Sequence, residues 1–174
     1  MRYDLDPDAS RVVIHASSSV HPIETEAPLT GWIELTVGDD GTVDPAAPVA
    51  AHVEVPLGGL RSGNPLIDRE ADRRLDTRHH PTVTGDLQVL TPATDAAAGD
   101  GDLAGIGDLT LKGVTAPIDG TLHVEATDDA AIALTGETTF EVTDFGVQPP
   151  SLLLVKVHAT VRVTLDAVAR PAAD

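Results

Sequence analysis

The sequence contains no cysteine and very few aromatic residues. The first absence excludes disulfide bonds, thiolate metal sites and cysteine nucleophiles. Aromatic residues make up 2% of the 174 residues, whereas a core of this size normally uses several of them to fill its volume. The core must therefore be built from Val, Leu, Ile, Ala and Gly. Such a core forms either a thin two-layer sandwich or a barrel whose centre is not filled by protein.

Basic residues are also scarce. The chain has 11 Lys and Arg residues and 28 Asp and Glu residues, which gives a formal net charge of −17. An acidic field of this size repels nucleic acid and anionic membranes, so neither is expected as a partner.

Seven histidines are present, but no His-x-His or His-Glu-x-x-His spacing occurs among them. The adjacent His79 and His80 point to opposite faces if they lie on a strand. No metal and no cofactor are expected.

Long apolar runs are missing as well. No stretch approaches the roughly 20 apolar residues of a membrane span, so stable membrane insertion is not expected. The segment 1–6 carries no apolar signal sequence. We therefore expect a cytoplasmic protein if Met1 is the natural start, and a periplasmic or extracytoplasmic one if the N-terminus was trimmed. The length predicts a single domain over residues 1–174.

What the sequence has instead is alternation of apolar and polar residues with period two, which predicts strands with one dry and one wet face. Short connections favour antiparallel pairing, and about eight long strands of this kind stack as a sandwich or close into a barrel. A turn is predicted at 38–41 and a mobile loop at 91–101. The alternating segments are 11–15, 32–37, 52–55, 83–89, 108–112, 118–125, 132–142 and 155–166.

Glycine is unusually frequent on the dry faces of these segments. Two interpretations stay open at this point. Glycines relieve strain where a barrel bends, or they leave volume in the lumen that no aromatic side chain is present to fill. The five glycines in register with apolar neighbours are Gly85, Gly105, Gly107, Gly120 and Gly136.

One segment breaks the period and predicts a short helix over about residues 65–76. Asn64 is a favourable N-cap, and Pro65 suits the first helical position. Apolar residues recur at Ile67, Ala71 and Leu75, so one stripe of the helix is dry. Inserted between strands, such a helix is expected to lie over an edge or an open end of the barrel.

Four motifs in order along the chain resemble the YceI-like family. The resemblance implies an all-β, extended antiparallel lipocalin-like barrel, often dimeric, that holds a long isoprenoid or similar lipid in its lumen, with the helix near the mouth. The chain departs from the family by lacking a signal sequence and by having His79 and His80 where an aromatic residue usually follows the helix. The motifs are Tyr3-Asp4-Leu5-Asp6-Pro7 with Ser10; Arg61-Ser62-Gly63-Asn64 with Asp68, Leu75 and His80-Pro81; 107–115 with Pro117; and Asp144-Phe145-Gly146.

The dry faces define a candidate ligand-binding wall. A barrel of about eight strands is wide enough either to be filled by side chains or to hold one small ligand. The predicted wall comprises Ile14, Ile33, Leu35, Val53, Val55, Val83, Leu87, Leu109, Leu111, Leu122, Leu134, Phe140, Val157 and Val161. At the mouth, Arg61 and Arg69 are candidates for binding an anionic head group, because guanidinium binds anions through two hydrogen bonds. The alternative is that the arginines pair with acidic residues interleaved on the helix surface.

Catalysis has little support. Ser17, Ser18 and Ser19 precede His21, but no Gly-x-Ser-x-Gly motif occurs, and the protein is not expected to be an enzyme. The favoured hypothesis is binding, carriage or sequestration of a hydrophobic small molecule, above all an isoprenoid chain of the polyprenyl or quinone type. Two alternatives remain: a barrel isomerase or cyclase acting on an apolar substrate, and a filled barrel acting as an interaction module.

Overall fold

The computed structural model describes residues 1–94, 99, 101–127 and 129–173. Residues 95–98 and 100 of the loop predicted at 91–101 lie outside this range, while Thr91 and Pro92 belong to a strand. The elements are β1 Arg2–Leu5, β2 Arg11–Ser17, β3 Pro22–Pro28, β4 Thr30–Glu34, β5 Ala50–Pro56, α1 Pro65–Leu75, β6 Thr82–Pro92, β7 Leu103–Leu111, β8 Val114–Ala126, β9 Ile132–Glu141, a 3₁₀ turn at Val142–Phe145, β10 Ser151–Leu152, β11 Val155–Lys156 and β12 Thr160–Pro171.

Antiparallel pairing closes the sheet into a barrel of eight strand positions. Around the barrel the order is β1, β4, β5, β6, β7, β8, β9 and β12, and β1 pairs with β12 to complete the circle. Closure pairs both edges of each of these eight strands, which would leave two free edges if the sheet were open. The predicted all-β barrel of about eight strands with one short helix is therefore confirmed.

Two of the eight positions are occupied by interrupted strands. One edge of β12 pairs with β2 and then, further along, with β1. On their far sides, β2 pairs with β3 and β1 pairs with β4. Among the strands that the structure describes, β3 is hydrogen-bonded to β2 alone. The barrel is thus sealed between β4 and β5 but not between β3 and β5, where the backbone N–H of Arg61 donates to Thr25 Oγ1 at 3.1 Å.

Helix α1 begins as the sequence predicts. Asn64 Oδ1 accepts from the N–H groups of Leu66 at 3.0 Å and Ile67 at 3.5 Å, and Pro65 is the first helical residue. These bonds satisfy donors that a helix N-terminus otherwise leaves free. The helix ends one residue earlier than predicted, because Asp76 adopts the left-handed conformation with φ 52°. Ile67 is buried, so the predicted apolar stripe faces the barrel.

The last predicted strand is interrupted near its start. Residues 155–166 form two strands, β11 and the longer β12, instead of one. Between them the N–H of His158 donates to Ser17 O at 2.8 Å, and Val157 forms an isolated bridge to Ser18. The chain leaves the barrel there to form the β10–β11 hairpin. Alternation of residue type continues through the break, which is why the sequence pattern does not show it.

A β-bulge reverses the facing of residues in β6. The register of β6 on β7 shifts between Leu87 and Val89. An extra residue in one strand turns the following side chains to the other face. Val89, which the alternation places inside, is consequently exposed beside Ile106, and Leu90 is buried in its place.

The apolar core is divided into two clusters. The first packs the end of the barrel at which the chain begins, around Leu5, Ile33, Leu35 and Ile132. The second packs the end that carries α1, around Leu57, Leu111, Phe145 and Val147. In the second cluster the rings of Phe140 and Phe145 meet edge to face at 5.6 Å. The interior between the two clusters is not filled by side chains.

Candidate ligand cavity

An apolar cavity of about 370 Å³ lies inside the barrel. Its wall includes residues of both clusters, such as Leu5 and Leu134 from the first and Leu57 and Leu111 from the second. The volume falls within the roughly 300–1,000 Å³ that is usual for ligand sites. Nearly all atoms that line it are apolar. The barrel is therefore hollow and its interior is suited to a hydrocarbon.

Twelve of the fourteen residues predicted to form the wall border this cavity. They come from eight strands distributed around the barrel. Whether they contact a ligand stays a prediction. The twelve are Ile14, Ile33, Val53, Val55, Val83, Leu87, Leu109, Leu111, Leu122, Leu134, Phe140 and Val161.

The other two predicted wall residues, Leu35 and Val157, do not border the cavity. Leu35 follows the last residue of β4 and is fully buried in the first cluster, with its N–H donating to Met1 O at 3.0 Å. Val157 is buried beside Ser18 in the break between β11 and β12. Alternation identifies the face of a strand on which a residue lies, but not its depth along the barrel.

Several residues of the wall were not predicted from the sequence. Some lie in connections, where period two gives no information. Leu75 had a usable signal, because it belongs to the apolar stripe of α1. Val163 and Leu165 alternate in phase with Val161 and could have been included. The missed apolar residues are Leu5, Val12, Leu29, Trp32, Ala51, Leu57, Leu60, Leu75, Ile118, Val142, Val163 and Leu165.

All five dry-face glycines border the cavity, on the consecutive strands β6 to β9. At three of them the backbones approach closely, including Gly136, where a Cβ would lie 2.8 Å from the carbonyl oxygen of Thr121. A Cβ at Gly107 would lie 2.1 Å from the carbonyl oxygen of Asp86, and one at Gly120 would lie 2.5 Å from that of Glu137. Any side chain there would force the strands apart. These glycines therefore allow the sheet to bend, as the first interpretation requires, and they also place no side chain over the cavity.

The sequence and the fold both match known proteins. The profile of the YceI-like domain matches residues 3–169 of the chain. The chain belongs to the YceI-like family. This confirms the resemblance inferred from the four motifs, which lie within or beside the barrel strands that surround the cavity. No curated protein matches the sequence in a direct search.

Solved structures share the fold of this YceI-like chain at low sequence identity. A polyisoprenoid-binding domain from Saccharophagus degradans is 18% identical, with a TM-score of 0.69 over 98% of both chains. Burkholderia cenocepacia BcnA is 16% identical, with a TM-score of 0.69 over 95% of this chain and 99% of that one. The YceI protein of Campylobacter jejuni is 12% identical, with a TM-score of 0.58 over 83% and 82%.

Polar residues border the YceI-like cavity without directing charge into it. Four acidic residues are on its lining: Asp86, Asp108, Asp119 and Glu137. Asp86 Oδ1 lies 2.7 Å from His52 Nδ1, Asp108 Oδ2 lies 2.7 Å from Gln88 Nε2, and Glu137 Oε2 lies 3.3 Å from Arg162 Nη1. Asp119 is exposed. The hydrogen bond to Asp86 is the main cause that raises the pKa of His52. Thr138 has an inward side chain, and its hydroxyl donates to Asp119 O at 2.7 Å. The cavity therefore offers a ligand apolar contact and very little hydrogen bonding.

The two arginines predicted to bind a head group do not border the cavity. Arg61 is exposed and its guanidinium donates to Leu60 O at 2.7 Å; Arg69 is on the exposed face of α1. Their role stays a prediction. The ion-pair alternative holds for Arg73 and Arg74, which both bind Glu70.

Arg73 and Arg74 both interact strongly with the carboxylate of Glu70. Arg73 Nη2 lies 2.5 Å and Arg74 Nε 2.7 Å from Glu70 Oε1. The hydrogen bonds from Arg73 and then Arg74 lower the pKa of Glu70 to about 2. Both guanidinium groups are therefore engaged on the helix surface, turned to a residue of their own helix.

Residues capable of other chemistry lie away from the cavity. Within the described ranges, no group of three or more His, Asp or Glu residues is arranged to hold a metal ion. Ser17 Oγ lies 2.8 Å from His158 Nδ1, whereas Ser18 Oγ is bonded to the backbone of His21, donating to its oxygen at 2.8 Å and accepting from its nitrogen at 3.2 Å. Neither Ser17 nor His158 borders the cavity. No helix in the part of the chain that the structure describes is long and apolar enough to cross a membrane.

Proposed function

We propose that this YceI-like protein binds and carries the apolar chain of an isoprenoid lipid, of the polyprenyl or quinone type, inside its barrel. The observation that carries the proposal is the hollow interior: a cavity of about 370 Å³ inside the barrel, lined almost wholly by apolar atoms. Filling an apolar cavity of this kind with a hydrocarbon, in place of water or empty space, is thermodynamically favourable.

The binding energy would come from the chain and not from the head group. Burying each methylene contributes about 0.8 kcal/mol, so a chain with several isoprene units reaches useful affinity without any ion pair. The inward hydroxyl of Thr138 is already bonded to Asp119 O. A charged head group therefore stays outside the cavity, and the ligand class is defined by its hydrocarbon part.

Two observations favour this function over the alternatives. A filled barrel acting as an interaction module would have side chains where the cavity lies. A barrel isomerase or cyclase would need titratable groups facing its substrate, whereas the carboxylates of Asp86 and Glu137 are bonded to His52 and Arg162 on the outer surface. The name of the Saccharophagus degradans domain, which is polyisoprenoid-binding, supports the isoprenoid class for a barrel of the same fold.

The proposal is tested by native mass spectrometry of the purified protein, followed by organic extraction and by titration with a polyprenyl alcohol. We expect one bound chain per barrel. Val163 borders the cavity in the middle of β12, opposite Ile14 and Thr138, so Val163→Trp should fill it and abolish uptake. Ile106→Trp adds the same bulk on the outer face and should leave uptake unchanged.

A second cavity variant keeps the test decisive if Val163→Trp does not fold. Leu122 faces Gly136 across the β8–β9 pair, so Leu122→Trp has room to turn into the cavity. Uptake that survives in a folded cavity variant, or a loss that is equal in Ile106→Trp, would contradict binding inside the barrel. A purified barrel that takes up no polyprenyl chain under any condition would contradict the ligand class.

A further inference from the structure

The tip of the β10–β11 hairpin presents two leucines to solvent. Leu153 is 99% exposed and Leu154 is 93% exposed. Leu153 also has φ 54°, the left-handed region in which Gly or Asn costs less than a branched side chain. A large apolar residue is thus kept at a position where both exposure and backbone conformation disfavour it. This combination indicates a surface that is covered by something apolar.

Two further apolar side chains lie at the same end of the barrel. The hairpin is tied to the β2–β3 turn, since Ser19 Oγ donates to Leu154 O at 3.1 Å and Ser19 N donates to Lys156 O at 2.9 Å. Val20 in that turn is exposed. Strand β10 packs against α1, whose outer face exposes Leu66. We call Val20, Leu66, Leu153 and Leu154 the apolar rim.

The charge of the molecule is distributed very unevenly between its two ends. At the end of the barrel that carries the apolar rim, the strands are joined by four connections: 18–21, 57–81, 112–113 and 142–159. They contain seven of the eleven Lys and Arg residues and five acidic ones, so this end is net +2 in a chain of net −17. At the opposite end, the described residues of connections 35–49, 93–102 and 127–131 include five Asp and no Lys or Arg. The rim is thus surrounded by the cationic part of an acidic protein.

We propose that this end of the barrel docks on the surface of an anionic lipid bilayer. Leu153 and Leu154 enter the boundary between head groups and acyl chains, while Arg69 and Lys156 contact lipid phosphates. Peripheral attachment of this kind needs two signals, apolar insertion and attraction of basic residues to anionic lipid. The apolar rim supplies the first, and the basic residues around it supply the second.

The overall charge of −17 does not oppose this arrangement. A strand of ten residues such as β9 spans about 30 Å. The Debye length at physiological ionic strength is about 8 Å, so charges at the far end are screened from the bilayer. The field at the membrane is set by the residues nearest to it, and those carry a net positive charge.

This surface goes beyond the proposed function, although the two are adjacent. Leu57, Leu60 and Leu75 border the cavity and belong to the β5–β6 connection at the same end of the barrel. A lipid leaving a bilayer would meet the barrel where its interior is closest. Attachment to vesicles can be measured on protein without ligand, so a failure of docking and a failure of chain binding are distinguishable.

The experiment is sedimentation of the protein with vesicles of phosphatidylcholine, with and without phosphatidylglycerol. We expect binding that requires phosphatidylglycerol and falls as salt is raised. The double variant Leu153→Asp, Leu154→Asp should weaken it by about tenfold or more, since two apolar side chains no longer insert. Asp tolerates the left-handed conformation at position 153, so the hairpin should remain folded. Arg69→Glu with Lys156→Glu should weaken binding by a similar factor.

A matched control comes from the barrel wall. Val89→Asp with Ile106→Asp removes another pair of exposed apolar neighbours, on β6 and β7, and should leave vesicle binding unchanged. The proposal would be overturned by an equal loss in both double variants, by binding that does not depend on phosphatidylglycerol, or by no binding of the unmodified protein.

Light scattering tests for the homodimer that the family resemblance predicts. A dimer that only the Leu153→Asp, Leu154→Asp variant dissociates, with no vesicle binding, would assign the rim to self-association and overturn bilayer docking.

Discussion

Ser10 Oγ lies 3.2 Å from both the backbone nitrogen and the backbone oxygen of Val168, a residue 158 positions further along the chain. The hydroxyl accepts from the nitrogen and donates to the oxygen. It therefore replaces the missing backbone of a strand where β1 gives way to β2. Ser10 is buried, and the backbone oxygen of Val168 also accepts from the N–H of Asp6 at 2.8 Å.

Removing this hydroxyl should destabilise the barrel at its closure. Ser10→Ala leaves the part-buried N–H of Val168 without this partner, which we expect to cost about 1–3 kcal/mol in the free energy of unfolding. Chemical denaturation followed by circular dichroism measures the change. Ser151→Ala, at an exposed serine, is the control and should stay within about 0.5 kcal/mol. Equal effects would show that the hydroxyl of Ser10 has no structural role.

The depth of a wall residue decides what enlarging it does. Leu134 borders the cavity but is only 3% exposed, because it also packs in the first cluster. Leu134→Trp should therefore cost about 1–3 kcal/mol through overpacking. Val163→Trp, which turns into free volume, should change the melting temperature of the ligand-free protein much less. Thermal unfolding of both variants, prepared without ligand, checks this order; the reverse order would place Leu134 in open space.

The close approach of β6 and β7 at Gly107 leaves no room for a methyl group, so adding one should destabilise the barrel. In Gly107→Ala the added carbon would lie 2.1 Å from Asp86 O, so the backbones of β6 and β7 must separate. We expect a loss of at least about 1–3 kcal/mol. Gly59→Ala is the control, since nothing lies within 4 Å of the position that its added methyl group would take, and it should be near neutral. Equal stability of the two variants in urea would contradict the close approach.

The surface pair of His52 and Asp86 should make stability depend weakly on pH. Their hydrogen bond raises the pKa of His52 above its usual 6.5. The pair therefore stabilises the fold fully below pH 6.5, and this contribution is lost as the pH rises through the higher pKa of the folded state. Because the pair is partly exposed, we expect about 0.2–1 kcal/mol.

An NMR titration of the His52 ring checks this prediction. Asp86→Asn should lower the pKa of His52 and reduce the stability difference between acidic and alkaline buffer, while the weaker contribution of Glu54 remains. Asp108 lies opposite Asp86 across the β6–β7 pair and is bonded to Gln88, so Asp108→Asn is the matched control and should preserve both. A His52 titration that is unchanged in Asp86→Asn would show that the hydrogen bond does not form in solution.

Period-two alternation predicted most of the fold because burial on one face of a sheet constrains every second residue. It could not show that Val89 turns outward after a bulge, since a bulge depends on the neighbouring strand. Strand β3 was missed because Ile23 and Ala27 are the only apolar residues between its terminal prolines. Helix α1 was predicted well because Asn64 and Pro65 act locally.

The cavity was predictable in kind but not in outline. Few aromatics and inward glycines indicated a hollow barrel, and most wall residues followed from their face. Leu35 and Val157 do not border the cavity because their positions depend on how the barrel ends pack. The cationic end was hidden for a similar reason. A net charge of −17 says nothing about which connections the fold brings together.

The triple pairing of β12 has a consequence for the order of folding. This strand contacts β9, β2 and β1, and its register joins Tyr3 to Pro171. Contacts between residues so distant in sequence require a large loss of chain entropy to close the loop, which lowers the folding rate. Strands β5 to β9 can form as a meander of neighbouring hairpins, but the barrel cannot close until β12 arrives. We infer that the rate-limiting step is docking of this strand, and that an intermediate lacking it exposes three strand edges at once to other chains.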